Sequence, residues 1–236
     1  MKHWPTLRPG AGATVTPHDR DRAPQDPYTG PVTVGTTAVR RQAVGQGEPF
    51  LLGRHAVLVP VKAFAQAKRR LGAALGDAER EALVRAMAEQ VLAAAAPLPV
   101  AVVCDDNDVA VWARAHGALV VWEPGRGLNG AVEEGVERLA AMGVVQVTVA
   151  HGDLPLATDI GSIEPFDGIT LAPDRQGNGT NVIRLPVRHG FQFSYGPGSF
   201  ERHLRECERL GMAARILRTP GLAFDVDWPA DLGWHE

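Results

Sequence analysis

From residue 55 onward, short apolar runs alternate with longer stretches in which apolar residues recur every three or four positions. His55-Ala-Val-Leu-Val-Pro-Val61 is apolar almost throughout and rich in β-branched residues, the pattern of a strand covered on both faces. Val100–Val103, Ala118–Trp122 and Val144–Ala150 repeat it. Between these runs, Ala65–Leu75 and Asp77–Ala96 are rich in Ala, Leu, Arg and Glu. In the second, Leu83, Met87 and Val91 fall at helical spacing and Pro97 ends the helix. Asp108–His116 and Asn129–Met142 predict two more helices, the latter closed by Gly143. Strands alternating with helices at this spacing predict an α/β fold: a single Rossmann-like domain, its mostly parallel sheet carrying helices on both faces. After Asp153 the rhythm loosens. Gly168–Leu171 and Asn181–Leu185 read as strands, Ser199–Leu210 as a helix capped by Ser199, and Ala213–Leu217 and Ala223–Val226 as short late strands.

Residues 1–53 break the pattern. They are dense in Pro, Gly, Thr, Arg and Asp, have neither periodicity, and read as a disordered tail ahead of a domain over 54–236. A translation start downstream, at a non-methionine codon, would also explain them, because the next methionine is Met87 inside a helix pattern. An intact Met1 peptide from the native protein would rule that out. The chain has 236 residues, 45% of them hydrophobic and 22% charged, with a formal net charge of −3. That balance lacks the basic excess of a nucleic-acid binder. No apolar run reaches the roughly 18 residues of a membrane span, and the first residues lack the apolar stretch of a secretory signal. Cys104 and Cys207 have no metal-ligand spacing and read as reduced thiols of a cytoplasmic protein.

In a parallel α/β sheet, ligands bind beyond the C-terminal ends of the strands. Lys62, Lys68, Arg69 and Arg70 follow the first run, at the expected entry to a helix, where basic side chains and the helix dipole together suit phosphates. No GxxxxGK[ST] loop is present. After the third run, Pro124-Gly-Arg-Gly-Leu-Asn-Gly-Ala131 offers a glycine-rich turn, with Asn129 either binding a nucleotide or capping its helix. After the fourth, His151-Gly-Asp-Leu-Pro155 sets Asp153 at the strand end. A carboxylate there is costly to bury unless paired or holding a metal, and magnesium takes one or two carboxylates plus substrate phosphates. His151 reads as a polar packing residue. Near the C-terminus, Asp225 and Asp227 fall on one side of a short strand and either could complete a metal site; Asp231 belongs to the first turn of a last helix. The turn Asp174–Asn181 and the segment Phe193–Phe200 offer backbone N–H groups and hydroxyls, or are simply a hairpin turn and a helix cap.

In order, VPVK-x4-AK-x-RL, GLNGA, HGDLP, GNGTN, YGPGSF and DVDWPADL resemble the CofC/FbiD guanylyltransferases of the MobA-like nucleotidyltransferase group, which serve coenzyme F-420 biosynthesis. The likeness spans about residues 55–233. It implies transfer of GMP from GTP to phosphoenolpyruvate, or to 2-phospho-L-lactate or 3-phosphoglycerate, with release of pyrophosphate. By motif, Lys62, Lys68 and Arg70 match the basic residues of the first loop, and Asn129 matches the nucleotide-side loop. Asp153 and Asp227 match the metal-holding carboxylates, implying Mg2+. Thr180, Gly196 and Ser199 match the acceptor-binding positions, with Asn181 as the neighbour one register away. Trp228 stands where the family's D-x-D-T-P motif has threonine. The residues leave open a MobA-like enzyme with another nucleotide or acceptor, a non-catalytic nucleotide-binding regulator, and the oligomeric state, a homodimer included.

Overall fold

A computed structural model describes residues 52–233, so positions 1–51 of the expected tail lie outside the described residues. Seven strands form one sheet: β1 (His55–Pro60), β2 (Val100–Cys104), β3 (Leu119–Trp122), β4 (Gln146–Ala150), β5 (Ile169–Pro173), β6 (Thr180–Pro186) and β7 (Ala214–Ile216). Their order is β3-β2-β1-β4-β6-β5-β7. β1 runs parallel to β2 and β4, and β2 to β3. β6 alone runs antiparallel, to both β4 and β5, while β7 adds parallel to β5. The strand order therefore reverses between β1 and β4, which opens a crevice at their C-terminal ends.

Five helices accompany the sheet: α1 (Asp77–Ala94), α2 (Asn107–Ala115), α3 (Gly127–Ala141), α4 (Ser199–Arg209) and α5 (Pro220–Ala223). Successive residues of β1 point to opposite faces, and the core divides accordingly. Val57 and Val59 pack with Met87 and Val91 of α1 and Val109 and Trp112 of α2. Ala56 and Leu58 pack with Val132 and Leu139 of α3 and Phe200 and Cys207 of α4. The expected helices on both faces are thus present. α1 begins where Glu79 accepts the Gly76 N–H (2.9 Å), and α2 where Asp106 accepts the N–H groups of Asp108 and Val109. Gly143, at φ +93°, closes α3 as expected.

Four local expectations are corrected. Ala65–Leu75 is not an α-helix but two 3-10 turns, Phe64–Gln66 and Arg69–Ala73, broken by Lys68 in the left-handed region (φ 50°, ψ 39°). Ala223–Val226 is not a strand: Pro220, fixed in φ, starts the single turn α5, and an extended segment follows. Asn129 does not cap α3, which starts two residues earlier. Ser199 is the first residue of α4, and Gly198, at φ +73°, is its cap.

The segment after β4 is pressed against the end of α1. Gly161 donates its N–H to Ala94 O (2.9 Å), and a Cβ at Gly161 would lie 2.2 Å from Ala95 O and 2.3 Å from Ala96 O. Gly161→Ala is therefore expected to destabilise the protein by about 2–3 kcal/mol in urea unfolding, because backbone cannot yield as a side chain can. Gly72→Ala, in open space, is expected to be close to neutral. Equal stabilities for the two variants would contradict this packing.

Candidate active site

The loop leaving β1 is held on both sides of Lys68. Phe64 is buried with its ring edge-on to Trp112 (5.3 Å between centroids), and Leu71 is fully buried. Arg80, buried on α1, donates through Nη1 to Ala67 O (2.5 Å) and through Nη2 to Asp77 Oδ1 (2.8 Å). The left-handed backbone at Lys68 is an uncommon conformation for a side-chain-bearing residue. It turns the ammonium into the crevice.

There, Lys68 Nζ donates to Asp153 Oδ2 at 2.5 Å and to Asp227 Oδ1 at 2.6 Å. Asp153 follows β4 after His151 and Gly152, and its carbonyl accepts the Val226 N–H (3.3 Å), which draws the C-terminal segment to the strand end. Asp227 is set by Asp231, whose Oδ2 accepts the N–H groups of Asp227 (2.9 Å) and Trp228 (2.8 Å) and whose Oδ1 accepts from Arg175 (2.5 Å). Asp231 lies in the first turn of a 3-10 helix, Pro229–Gly233, as expected for a dipole-complementing acid. Trp228, at the position that departs from the family motif, leaves Asp227 in place; Arg70 lies over its ring at 4.7 Å.

Burial opposes the charge on Lys68, but Asp153 and Asp227 outweigh it and hold the ammonium above the ordinary lysine range. Burial likewise opposes ionisation of Asp153, and Lys68 and His151 outweigh it, holding the carboxyl below the usual range. Asp225 is not bonded to Lys68. Burial, then the negative charges of Asp153 and Asp227, push it up to about 6. Asp153 Oδ1 is buried and has no hydrogen-bond partner. An orphaned carboxylate oxygen beside a second carboxylate is a donor set suited to a hard divalent cation. Among the described residues no group of three or more His, Cys, Asp or Glu side chains is arranged to hold a metal unaided.

Around this pair lies a cleft of about 510 Å³ lined by Lys62, Lys68, Arg69, Arg70, Asp153 and Asp227. Pro60 and Cys104 end β1 and β2, Asp105 follows β2, and Gly127, Leu128 and Ala131 come from the start of α3. The cationic rim and acidic floor thus come together as the sequence suggests.

Asn129, Thr180, Asn181, Gly196 and Ser199 do not line this cleft. Asn129 Oδ1 accepts the Tyr195 N–H (2.7 Å) and ties the 193–198 segment to α3. Thr180 and Ser199 meet in a second, adjoining corner, their hydroxyl oxygens 3.4 Å apart and both side chains buried. Gly196 turns the chain there at φ +115°. Asn181, on the opposite face of β6, donates instead to Leu222 O (3.0 Å) and Ala223 O (3.3 Å), so its amide fastens α5 rather than entering that corner. His151 connects the two halves: it lines the cleft, and its ring lies 4.8 Å from that of Tyr195. His151 Nε2 and the Tyr195 hydroxyl are buried without partners. Sequence reading did not find Arg80, Arg175 or His203; the Ala67 carbonyl, Asp231 and Thr180, which they hold, lie 13, 56 and 23 residues away.

The family model described as guanylyl transferase CofC like matches residues 55–234. The phosphoenolpyruvate guanylyltransferase of Sphaerobacter thermophilus is 37% identical over 184 residues, which cover 74% of this chain and 89% of that protein. The one from Rubrobacter xylanophilus is also 37% identical over 184 residues, covering 74% and 90%. Among solved structures, a nucleotidyl transferase from Methanothermobacter thermautotroptrophicus superposes with a TM-score of 0.53 at 14% identity, covering 75% of this chain and 93% of that one. A CMP:2-keto-3-deoxy-manno-octonic acid synthetase complexed with CTP gives 0.54 at 13% identity, covering 78% and 97%. These two share the fold. Sheet order, strand-end carboxylates and the family match over nearly all the described residues agree: the chain is a nucleotidyltransferase and belongs to the CofC-like guanylyl transferase family.

Proposed function

We propose that this protein transfers GMP from GTP to phosphoenolpyruvate and releases pyrophosphate, acting in the cytoplasm in coenzyme F-420 biosynthesis. The observation that carries the reading is the placement of Lys68 between Asp153 and Asp227, beneath a basic rim, where the strand order reverses. Its 37% identity to the phosphoenolpyruvate guanylyltransferases of Sphaerobacter thermophilus and Rubrobacter xylanophilus supports the acceptor and the nucleotide.

An acceptor phosphate is ionised near neutral pH and needs no general base. One of its oxygens bonds to the α-phosphorus of GTP, the bond from that phosphorus to the bridging oxygen breaks, and pyrophosphate leaves with the electron pair. The obstacle is mutual repulsion of two anions. Lys62, Arg69 and Arg70 on the rim offer charge to the triphosphate and to the leaving group. Lys68 fixes the two carboxylates relative to each other. Asp153 and Asp227 would hold Mg2+, which when bound supplies positive charge to the phosphates. Thr180 and Ser199, with the turn at Gly196, offer hydroxyl and backbone donors to the acceptor; Asn129 keeps the Tyr195 end of that segment against the nucleotide side. The protein contributes position and electrostatics, as in other phosphoryl transfers.

A pyrophosphate-release assay with GTP and magnesium, run with phosphoenolpyruvate, 2-phospho-L-lactate and 3-phosphoglycerate in turn, tests this. Release with phosphoenolpyruvate is expected. Release only with another acid would reassign the acceptor, and none with a folded protein that binds GTP would favour a regulator. Lys62 is exposed at the cleft, so Lys62→Ala is expected to lower kcat/KM for GTP roughly a hundredfold with no change in urea midpoint. Unaltered kinetics would remove Lys62 from the site.

A further inference from the structure

We infer that His203 is a positioning residue that makes Thr180 a hydrogen-bond donor toward the acceptor anion. His203 lies on α4, is fully buried, and is flanked by the rings of Tyr195 (5.1 Å) and Phe191 (5.6 Å). The inference deepens the acceptor-site reading above and rests on it.

Both ring nitrogens of His203 are engaged. Nε2 faces the backbone N–H of Ser194 at 3.0 Å, and Nδ1 lies 3.0 Å from Thr180 Oγ1. A backbone N–H can only donate, so Nε2 must present its lone pair. A neutral imidazole carries one proton, and it therefore sits on Nδ1 and is donated to Thr180 Oγ1. Protonating Nε2 would set two N–H groups against each other. Burial, then the nearby charges of Arg202 and His151, push the imidazolium pKa down to about 4, so the neutral ring persists. The Ser194 end is itself anchored: Arg202 donates to Ser194 O through Nη2 (2.7 Å) and Nε (3.2 Å).

The consequence falls on Thr180. With His203 Nδ1 donating to its oxygen and the Ser199 hydroxyl also donating to it at 3.4 Å, its own hydrogen is left for an anion entering that corner. In the opposite tautomer Thr180 would have to donate to Nδ1 and would show an incoming phosphate or carboxylate only lone pairs. A buried histidine thus sets the sign of a hydroxyl contact that an anionic substrate meets.

Two variants separate the nitrogens. His203→Asn keeps an N–H near the Nδ1 position. His203→Gln keeps an acceptor near Nε2 for Ser194 but loses the donor to Thr180. His203→Gln is expected to raise KM for phosphoenolpyruvate roughly tenfold or more with KM for GTP unchanged, while His203→Asn stays within a few-fold of wild type. In a Thr180→Val background the His203→Gln effect is expected to vanish. Equal losses in the two variants, a parallel change in KM for GTP, or additivity with Thr180→Val would overturn the positioning role. If Thr180→Val alone leaves KM for phosphoenolpyruvate unchanged, the acceptor-site reading falls and the inference with it. Should either variant fail to fold, 15N NMR of histidine-labelled wild-type protein decides. A proton on Nδ1 and a bare Nε2 at neutral pH are expected for His203, and the other tautomer or an imidazolium would overturn the inference.

Discussion

The site depends on one ammonium group held by two carboxylates. Lys68, Asp153 and Asp227 come from the loop after β1, the end of β4 and the C-terminal segment, 85 and 159 residues apart from Lys68 in sequence. Each acid would be costly to leave desolvated at a strand end. Together with the lysine they form a compact ionic group that fixes the meeting point of three remote segments. The supports around it serve the same end: Arg80 on the Ala67 carbonyl, Asp231 on two backbone N–H groups, and the Val226 N–H on the Asp153 carbonyl.

The second half of the site holds the cation Arg202, engaged by the backbone carbonyls of Ser194 and Pro197. Where the cleft has a cationic rim over an acidic floor, the corner at Thr180 and Ser199 has hydroxyls, a glycine turn and buried aromatic rings. His151 and Tyr195 stand between the halves, with partnerless polar atoms on each. A reaction that joins two anions needs compensation for the polyphosphate and orientation for the smaller acid. The division of charge between the halves matches that requirement. Burial of Thr180 and Ser199 makes each donor there count for more than it would in water.

Much of this was legible in the sequence, and the reasons for the misses are physical. β1, β2 and β4 were readable because strands covered on both faces are largely apolar, as these are apart from His55, Gln146 and Thr148. Asp153 was readable because a carboxylate ending such a strand has little structural reason to be there. Ala65–Leu75 misled because its composition is that of a helix, whereas its conformation is set by burial of Phe64 and Leu71 and by Arg80 reaching across from α1. Asn129 and Ser199 look like caps, but their side chains answer to Tyr195 and Thr180, partners 66 and 19 residues away. Alternation alone could not choose between Asp225 and Asp227, because the segment is not a strand; the bonds from Asp231 decide which carboxylate meets Lys68. The direction of β6 left no local signal, and only that strand's two faces separate Thr180 from Asn181.

The central claim is that this ionic group is the reaction centre rather than a structural clasp. The most direct test is the single-turnover rate of GMP transfer for Asp153→Asn at saturating GTP, phosphoenolpyruvate and magnesium, with the urea midpoint measured alongside. The expected result is a rate lower by roughly a hundredfold to a thousandfold in a protein that remains folded. A folded Asp153→Asn variant with the wild-type rate would contradict the claim.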